Sequence, residues 1–161
     1  MPPTDSDVAN FTDSAMFDRT FDEGMALVEE TARYLDGKGR EEARALSRKA
    51  AMLYAGESMR VTTRLMQAAS WLLVQRAVRD GDMERADALH ERYRLGSREI
   101  CLGTCAEDVA PLPAQLQDLL ERSDSLYRRI ARLDDVLFGE NEVPLGARGQ
   151  MDALAQAFGG Q

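Results

Sequence analysis

The stretch "ESMRVTTRLMQAASWLLVQRAV", residues 57–78, decides the fold class because its 22 residues include neither proline nor glycine. Its Leu, Met, Gln, Arg and Ala residues lose little side-chain freedom in a helix. The stretch lies within a predicted helix from Arg40 to Asp80 that stops at Gly81 and is roughly 60 Å long at about 1.5 Å per residue. Gly56 is expected to mark a bend in this helix or a close crossing with a neighbour.

Two more long helices are predicted, one on each side of this central helix. The first begins around Thr12 to Ser14, has an amphipathic face that includes Phe17 and Phe21, and ends at "DGKG", residues 36–39. The last carries a heptad-like seam and ends at Gly139. Its seam residues are Leu116, Leu119, Leu120, Leu126, Tyr127, Ile130, Leu133 and Leu137.

Between the central and last helices, residues 82–95 predict a short helix, and residues 96–114 a long loop rich in small residues and proline. The predicted fold is therefore all-α: an antiparallel three-helix bundle with one very long central helix, a short extra helix and disordered termini. We assign residues 1–12 to a disordered N-terminal arm, 13–138 to the bundle domain and 139–161 to a flexible tail. Within the tail, "MDALAQAF" is either a frayed end or a helix that forms on a partner.

Length and charge limit the functional classes. A chain of 161 residues suits one domain, and its net charge of -8 repels DNA and anionic lipid. We therefore expect no nucleic-acid partner. The N-terminus lacks a secretory signal pattern, and no apolar run approaches the length of a membrane span, so we expect a cytoplasmic protein without membrane insertion. Cys101 and Cys105 fit a reducing compartment as free thiols.

The sequence offers little for catalysis. His90 is the only histidine, and its charged surroundings predict a solvated surface position. Cys101 and Cys105 form C-x-x-x-C without a second pair, so we predict no metal site. Phosphate-binding loops and nucleophile elbows are absent from the sequence. We expect no enzyme activity, no catalytic residue and no cofactor, although a thiol switch at the two cysteines stays open as an alternative.

The central helix has two unlike faces when it is projected at about 100° per residue. The wide apolar arc, which includes Met59, Met66 and Leu73, is expected to form core. The opposite face is mixed, and two interpretations of it are open: another element covers Trp71, or the face is a contact surface for a second copy or a partner. On the second interpretation, Arg64→Glu would weaken association without changing stability. The candidate partner-binding residues are Arg60, Arg64, Gln67, Trp71, Val74 and Val78.

The segments "GMALVEETARYLDGKGREEARALSR" (24–48) and "ESMRVTTRLMQAASWLLVQRAV" (57–78) resemble the regulator of CtrA degradation (RcdA) family of alphaproteobacteria. The specific signatures are "YLDG.GR" at residues 34–40 and "ESMR.TTRLMQ.ASWLL" at residues 57–73, and "LYRRIARLD" at 126–134 agrees more loosely. The resemblance implies a three-helix bundle that forms homodimers. It also implies a non-enzymatic adaptor that brings cell-cycle substrates such as CtrA to the ClpXP protease.

The same resemblance implies two protein partners besides the substrate: a response regulator that primes the ClpX unfoldase, and a cyclic-di-GMP-binding effector that holds the substrate. The alternative from another class is a DNA-associated or transcriptional regulatory protein that uses the arginines of the central helix. The acidic total charge argues against this alternative.

Overall fold

A computed structural model of the chain describes the backbone of residues 14–103 and 108–158, with side chains described up to residue 139. Three long helices form a bundle, and short helices connect them. The long helices are α1 (Ala15–Asp36), α3 (Arg48–Arg79) and α6 (Ala114–Phe158). The short elements are α2 (Lys38–Arg44), α4 (Arg85–Ala88), a 3-10 turn (Glu91–Tyr93) and α5 (Arg98–Leu102). The predicted all-α three-helix bundle is confirmed. The antiparallel arrangement holds between α1 and the other two long helices, since Glu23 and Glu30 pair with Arg129 and Arg122. Helices α3 and α6 instead run parallel to each other, since Arg64 binds Leu120 and Trp71 binds Asp134.

Helix α1 begins at Ala15 and is capped by Ser14, whose hydroxyl accepts a hydrogen bond from the Phe17 amide at 3.4 Å. This cap satisfies an amide that has no partner within the first helical turn. The predicted start near Ser14 is confirmed, whereas Thr12 lies outside the described residues. The helix ends at Asp36, as the "DGKG" segment predicts. The antiparallel return of the chain is visible at the far end, where Asp18 of α1 pairs with Arg79 of α3.

The single helix predicted from Arg40 to Asp80 is wrong, because the structure divides it into α2 and α3 around residues 45–47. Ser47 adopts an extended conformation, and its hydroxyl accepts a hydrogen bond from the Ala50 amide at 3.2 Å, so a new helix begins there. The predicted stop at Gly81 is confirmed, since this glycine has φ of +80° just after α3.

Neighbouring groups approach the backbone closely at Gly39 and Gly24, and not at Gly56 as predicted. A Cβ on Gly56 would meet no atom within 4 Å, and α3 continues through this residue, so the predicted close crossing is wrong. By contrast, a Cβ on Gly39 would lie 2.6 Å from the Tyr54 hydroxyl. A Cβ on Gly24 would lie 3.0 Å from the Leu72 side chain, where α1 and α3 approach each other.

The last two sequence boundaries also differ. The predicted long loop at residues 96–114 contains α5, and the predicted short helix in 82–95 becomes α4 plus the 3-10 turn. Helix α6 continues past Gly139 to Phe158, so the predicted helix end at Gly139 is wrong. One glycine costs a helix only about 1 kcal/mol relative to alanine, which does not by itself end it. The flexibility of the tail stays a prediction, and the arm at 1–12 lies outside the described residues.

Candidate interaction surfaces

The mixed face of α3 turns inward and holds a segment that we call the strap, residues 94–103, which includes α5. Gln67 accepts a hydrogen bond from the Gly96 amide at 3.0 Å. Arg64 donates to the Cys101 carbonyl at 2.8 Å, and Arg60 donates to the Gly103 carbonyl. Three side chains of α3, spaced about one helical turn apart, thus bind main-chain atoms along the strap.

Arg64 is almost fully buried, with 5% of its surface exposed. Besides the strap, it reaches α6, where it donates to the Leu120 carbonyl at 3.1 Å and to the Ser123 hydroxyl at 3.3 Å. Asp124 supplies a carboxylate at 3.4 Å. Burial lowers the pKa of the Arg64 guanidinium from its ordinary value, and the Asp124 carboxylate opposes this shift. A buried guanidinium with this many acceptors has a structural role, because each bond offsets part of its desolvation.

Asp134 of α6 forms the second junction with the strap. Its carboxylate is fully buried and accepts hydrogen bonds from the Trp71 indole N–H at 3.2 Å and the Leu95 amide at 3.0 Å. Arg98 of the strap adds a charged hydrogen bond at 2.7 Å and reaches Asp135 at 2.9 Å. Arg94 also lies 3.6 Å from this carboxylate, so the charge of Asp134 is compensated by two cations and two N–H donors.

The contacts with the strap and α6 show that the mixed face of α3 is not the exposed contact surface that one interpretation expected. Trp71 is 2% exposed and Arg64 5%, so neither can contact a partner unless the bundle opens. The interpretation that another element covers Trp71 is the one that the structure supports, since its indole binds Asp134 of α6. The other four members of the face are half-buried: Arg60, Gln67, Val74 and Val78. A partner contact by those four stays a prediction.

Of the three residues considered for chemistry, the structure describes two, and both lie in ordinary surroundings. Cys101 is buried in the core, where burial raises the pKa of its thiol, which disfavours the reactive thiolate. Cys105 lies outside the described residues. His90 is exposed as predicted, and its Nδ1 accepts a hydrogen bond from the Arg92 amide at the start of the 3-10 turn. Within the described ranges, no three His, Cys, Asp or Glu side chains are grouped to hold a metal ion.

The outward face of α3 is the surface that the sequence analysis missed. Met52 and Met59 are both 71% exposed, Met66 is 66% exposed and Leu73 is 52% exposed. We call these four residues the methionine stripe. The expectation that Met59, Met66 and Leu73 form core is therefore wrong. Their spacing of seven residues was a visible signal, because residues seven apart lie on one side of a helix.

The methionine stripe lies on a face without charge, although 30% of the chain is charged. Helix α3 is described in full, and no exposed residue from 52 to 73 is ionisable. The exposed residues are Met52, Ala55, Gly56, Met59, Thr62, Met66, Ser70 and Leu73. Beside the stripe, a groove of about 430 Å³ runs between α1 and α3 and is lined by Val28, Leu35 and Leu65 among others. Exposed apolar areas of this kind are typical of protein contact sites.

Two comparisons with known proteins establish the family. The family profile described as "Protein of unknown function (DUF1465)" matches residues 8–158. The crystal structure of RcdA from Caulobacter crescentus CB15 is 53% identical, covers 78% of this chain and 92% of that chain, and superimposes with a TM-score of 0.64. The chain belongs to the RcdA family. The predicted resemblance is thereby confirmed, and no curated protein matches the chain.

The RcdA-family signatures coincide with the close contacts of this bundle. Gly39 in "YLDG.GR" lies between Tyr34 and Tyr54, where a Cβ would be 2.7 Å from the Tyr34 carbonyl oxygen. Arg64 and Trp71 in "ESMR.TTRLMQ.ASWLL" hold the strap and α6. These positions therefore have packing reasons for their residue types. None of the helices in the described residues has the length and apolar character of a membrane span.

Proposed function

We propose that this RcdA-family protein is a non-enzymatic adaptor in the cytoplasm that promotes delivery of cell-cycle regulatory substrates, such as CtrA, to the ClpXP protease. Its proposed partners are the ClpX unfoldase primed by a response regulator, a cyclic-di-GMP-binding effector, and the substrates. The 53% identity to RcdA over 78% of the chain carries this proposal. The exposed, uncharged face of α3 supports a protein-binding role.

A reconstituted proteolysis assay tests the adaptor role. Purified ClpXP, the phosphorylation-controlled regulator, the cyclic-di-GMP effector and CtrA are combined with and without this protein, and CtrA loss is followed over time. We expect faster loss when the protein is present. An equal rate of loss in both reactions would reject the adaptor proposal.

A homodimer is the second part of the proposal, and the methionine stripe is its contact. Large apolar residues at spacings of seven form the seam along which two helices pack. An antiparallel pair of α3 helices around a two-fold axis would place Met59 opposite Met66 and Met52 opposite Leu73 of the second copy. The seam from 52 to 73 is about 32 Å long at 1.5 Å per residue. Its lack of charge avoids like-charge repulsion between two copies that each carry -8.

Light scattering across a concentration series tests the dimer. Met59→Glu with Met66→Glu should shift the mass from dimer to monomer while helicity is unchanged, because both side chains are mostly exposed. Ile100→Glu is the matched control, since Ile100 is 54% exposed but lies on α5. A dimer that survives the double substitution, or a wild-type chain that stays monomeric at all concentrations, would contradict this contact.

The DNA-associated alternative loses its main support in the structure. Arg60 and Arg64, two of the central-helix arginines on which it depended, bind the strap and α6. These two guanidinium groups therefore do not form a basic face.

A further inference from the structure

A second apolar groove lies between α1 and α6, separate from the groove beside the methionine stripe. It has a volume of about 510 Å³. Its lining includes Met16, Thr20, Ile130 and Leu133. The Thr20 hydroxyl donates to the Met16 carbonyl at 3.0 Å, so this polar atom is already satisfied and the methyl group remains for contact. Met16 is 56% exposed, which leaves a large flexible side chain at the mouth of the groove.

Among the described side chains, the groove has one arginine on each side that makes no ion pair, unlike the neighbouring arginines. Within the described residues, Arg19 of α1 and Arg132 of α6 are exposed and make no ion pair. The other α6 arginines whose side chains are described, up to residue 139, each bind a carboxylate: Arg122 to Glu30, Arg128 to Asp124 and Arg129 to Glu23. Two uncompensated positive charges thus flank one apolar groove on a protein whose net charge is -8.

We propose that this groove binds a short amphipathic segment of a protein partner that presents apolar side chains to the apolar lining and carboxylates to Arg19 and Arg132. The unpaired guanidinium groups provide the charge complementarity, because a carboxylate is the group that arginine binds in a bidentate manner. The groove follows α1 from Met16 to Glu23, about 10 Å at 1.5 Å per residue. This length fits two helical turns with apolar residues spaced by three or four positions.

The inference rests on the proposed adaptor role in one respect: an adaptor joins two proteins and needs a second contact besides its dimer seam. The two surfaces are independent in the fold, because the methionine stripe belongs to α3 and this groove to α1 and α6. A partner with an acidic, apolar segment could therefore bind without displacing a second copy.

Fluorescence anisotropy on the full chain tests the proposal without any protease. The probe is a labelled synthetic helix of about 12 residues with two Leu residues four positions apart and Glu on both sides of them. The control probe has Lys in place of Glu. We expect saturable binding of the acidic probe, weakened at ionic strength above about 0.5 M, and at least tenfold weaker binding by Arg19→Glu with Arg132→Glu. The matched control is Arg40→Glu with Arg44→Glu, two exposed arginines of α2 that should leave binding unchanged.

Several results would overturn the inference. Equal binding of the acidic and basic probes would exclude specific recognition at this groove. An equal loss of probe affinity in the Arg19/Arg132 and Arg40/Arg44 double variants would exclude it as well. If a full-length variant with Asp5→Asn, Asp7→Asn and Asp13→Asn bound the probe tenfold more tightly, the occupant would be the chain's own N-terminal segment. A change of molecular mass in the groove variant would identify a second copy instead. Failure of the adaptor role would appear in the proteolysis assay and not in this binding measurement.

Discussion

The indole N–H of Trp71 donates to the carboxylate of Asp134 at 3.2 Å, and this bond joins α3 to α6 inside the core. The same carboxylate oxygen accepts the Leu95 amide, and the other oxygen accepts Arg98. One buried acidic group therefore fixes the relative positions of two long helices and the strap.

We expect Trp71→Ala to lower the free energy of unfolding by about 3 to 5 kcal/mol, because it leaves a cavity and removes a donor from Asp134. Trp71→Phe keeps most of the volume and should cost less, about 1 to 3 kcal/mol. Urea unfolding followed by circular dichroism measures both, since Trp71 is the only tryptophan and its fluorescence is lost in the variants. Unchanged stability combined with weaker association would contradict the buried position.

Arg64→Glu should be strongly destabilising, in contrast to the effect expected for an exposed residue. The glutamate would leave the Cys101 and Leu120 carbonyls without their donor and place a second carboxylate near Asp124. Breaking a buried ion pair costs about 3 to 5 kcal/mol. Arg64→Lys should cost less, because it keeps the charge but cannot reach all of these acceptors. Thermal unfolding compares these variants with Arg19→Glu, an exposed control, and an unchanged melting temperature for Arg64→Glu would contradict the prediction.

Two glycines give a matched pair of opposite effects. Gly39→Ala should destabilise by about 1 to 3 kcal/mol, because its Cβ would overlap the Tyr54 hydroxyl and the Tyr34 carbonyl. Gly56→Ala should stabilise by about 0.4 to 1 kcal/mol, because the methyl group meets open space and alanine restricts the unfolded chain. The urea concentration at the unfolding midpoint tests this prediction, provided that the dependence of the unfolding free energy on urea is the same in both variants. Equal changes in stability at the two positions would disprove it.

The ion pair between Glu30 and Arg122 should contribute a pH-dependent stability. The Arg122 guanidinium binds both carboxylate oxygens, at 2.7 and 2.9 Å, and these hydrogen bonds lower the pKa of Glu30 from its ordinary value of 4.5. A lowered folded-state pKa gives stability that is present above about pH 4.5 and is lost as the pH falls through the folded value. Because both side chains are partly exposed, the contribution is at most about 1 kcal/mol.

The measurement compares Arg122→Ala with wild type by urea unfolding at pH 7 and in acid. We expect the variant to have a lower free energy of unfolding than wild type at pH 7 and the same free energy of unfolding in acid. Arg44→Ala, which removes an exposed arginine with no ion pair among the described residues, should show no such pH dependence. A constant difference at both pH values would show that Arg122 acts by packing and not by charge.

Helix content and helix ends were largely readable because they depend on local chemistry. Ser14 caps α1 through its own hydroxyl, and Gly81 ends α3 through its positive φ. The break before α3 was missed because Ser47 stands within a run of good helix formers, where propensity gives no reason to stop. Only its capping bond shows that a new helix begins.

The two faces of α3 could not be assigned from periodicity, because both contain large apolar residues. The methionine stripe and the covered face around Trp71 are separated on the helix, yet each has a hydrophobic pattern. What decides between them is the strap, which is distant in sequence and binds one face only. Arg64 looked solvated for the same reason: its acceptors are mostly carbonyl oxygens, which every residue has.

The strap is held through its main chain as well as through the side chains of Arg98, Leu95 and Cys101. Arg64, Arg60 and Tyr127 bind its carbonyls, and Gln67 and Asp134 bind its amides. Backbone groups are the same for nearly every amino acid, so these bonds do not depend on the strap's own side chains. Its inward side chains add the ion pairs of Arg98 and the buried Leu95 and Cys101. Ile100 at its centre is 54% exposed and takes no part in the attachment. Such an arrangement leaves the outward side chains of the strap free to diverge between related proteins, so that one rigid scaffold can carry different surface chemistry there.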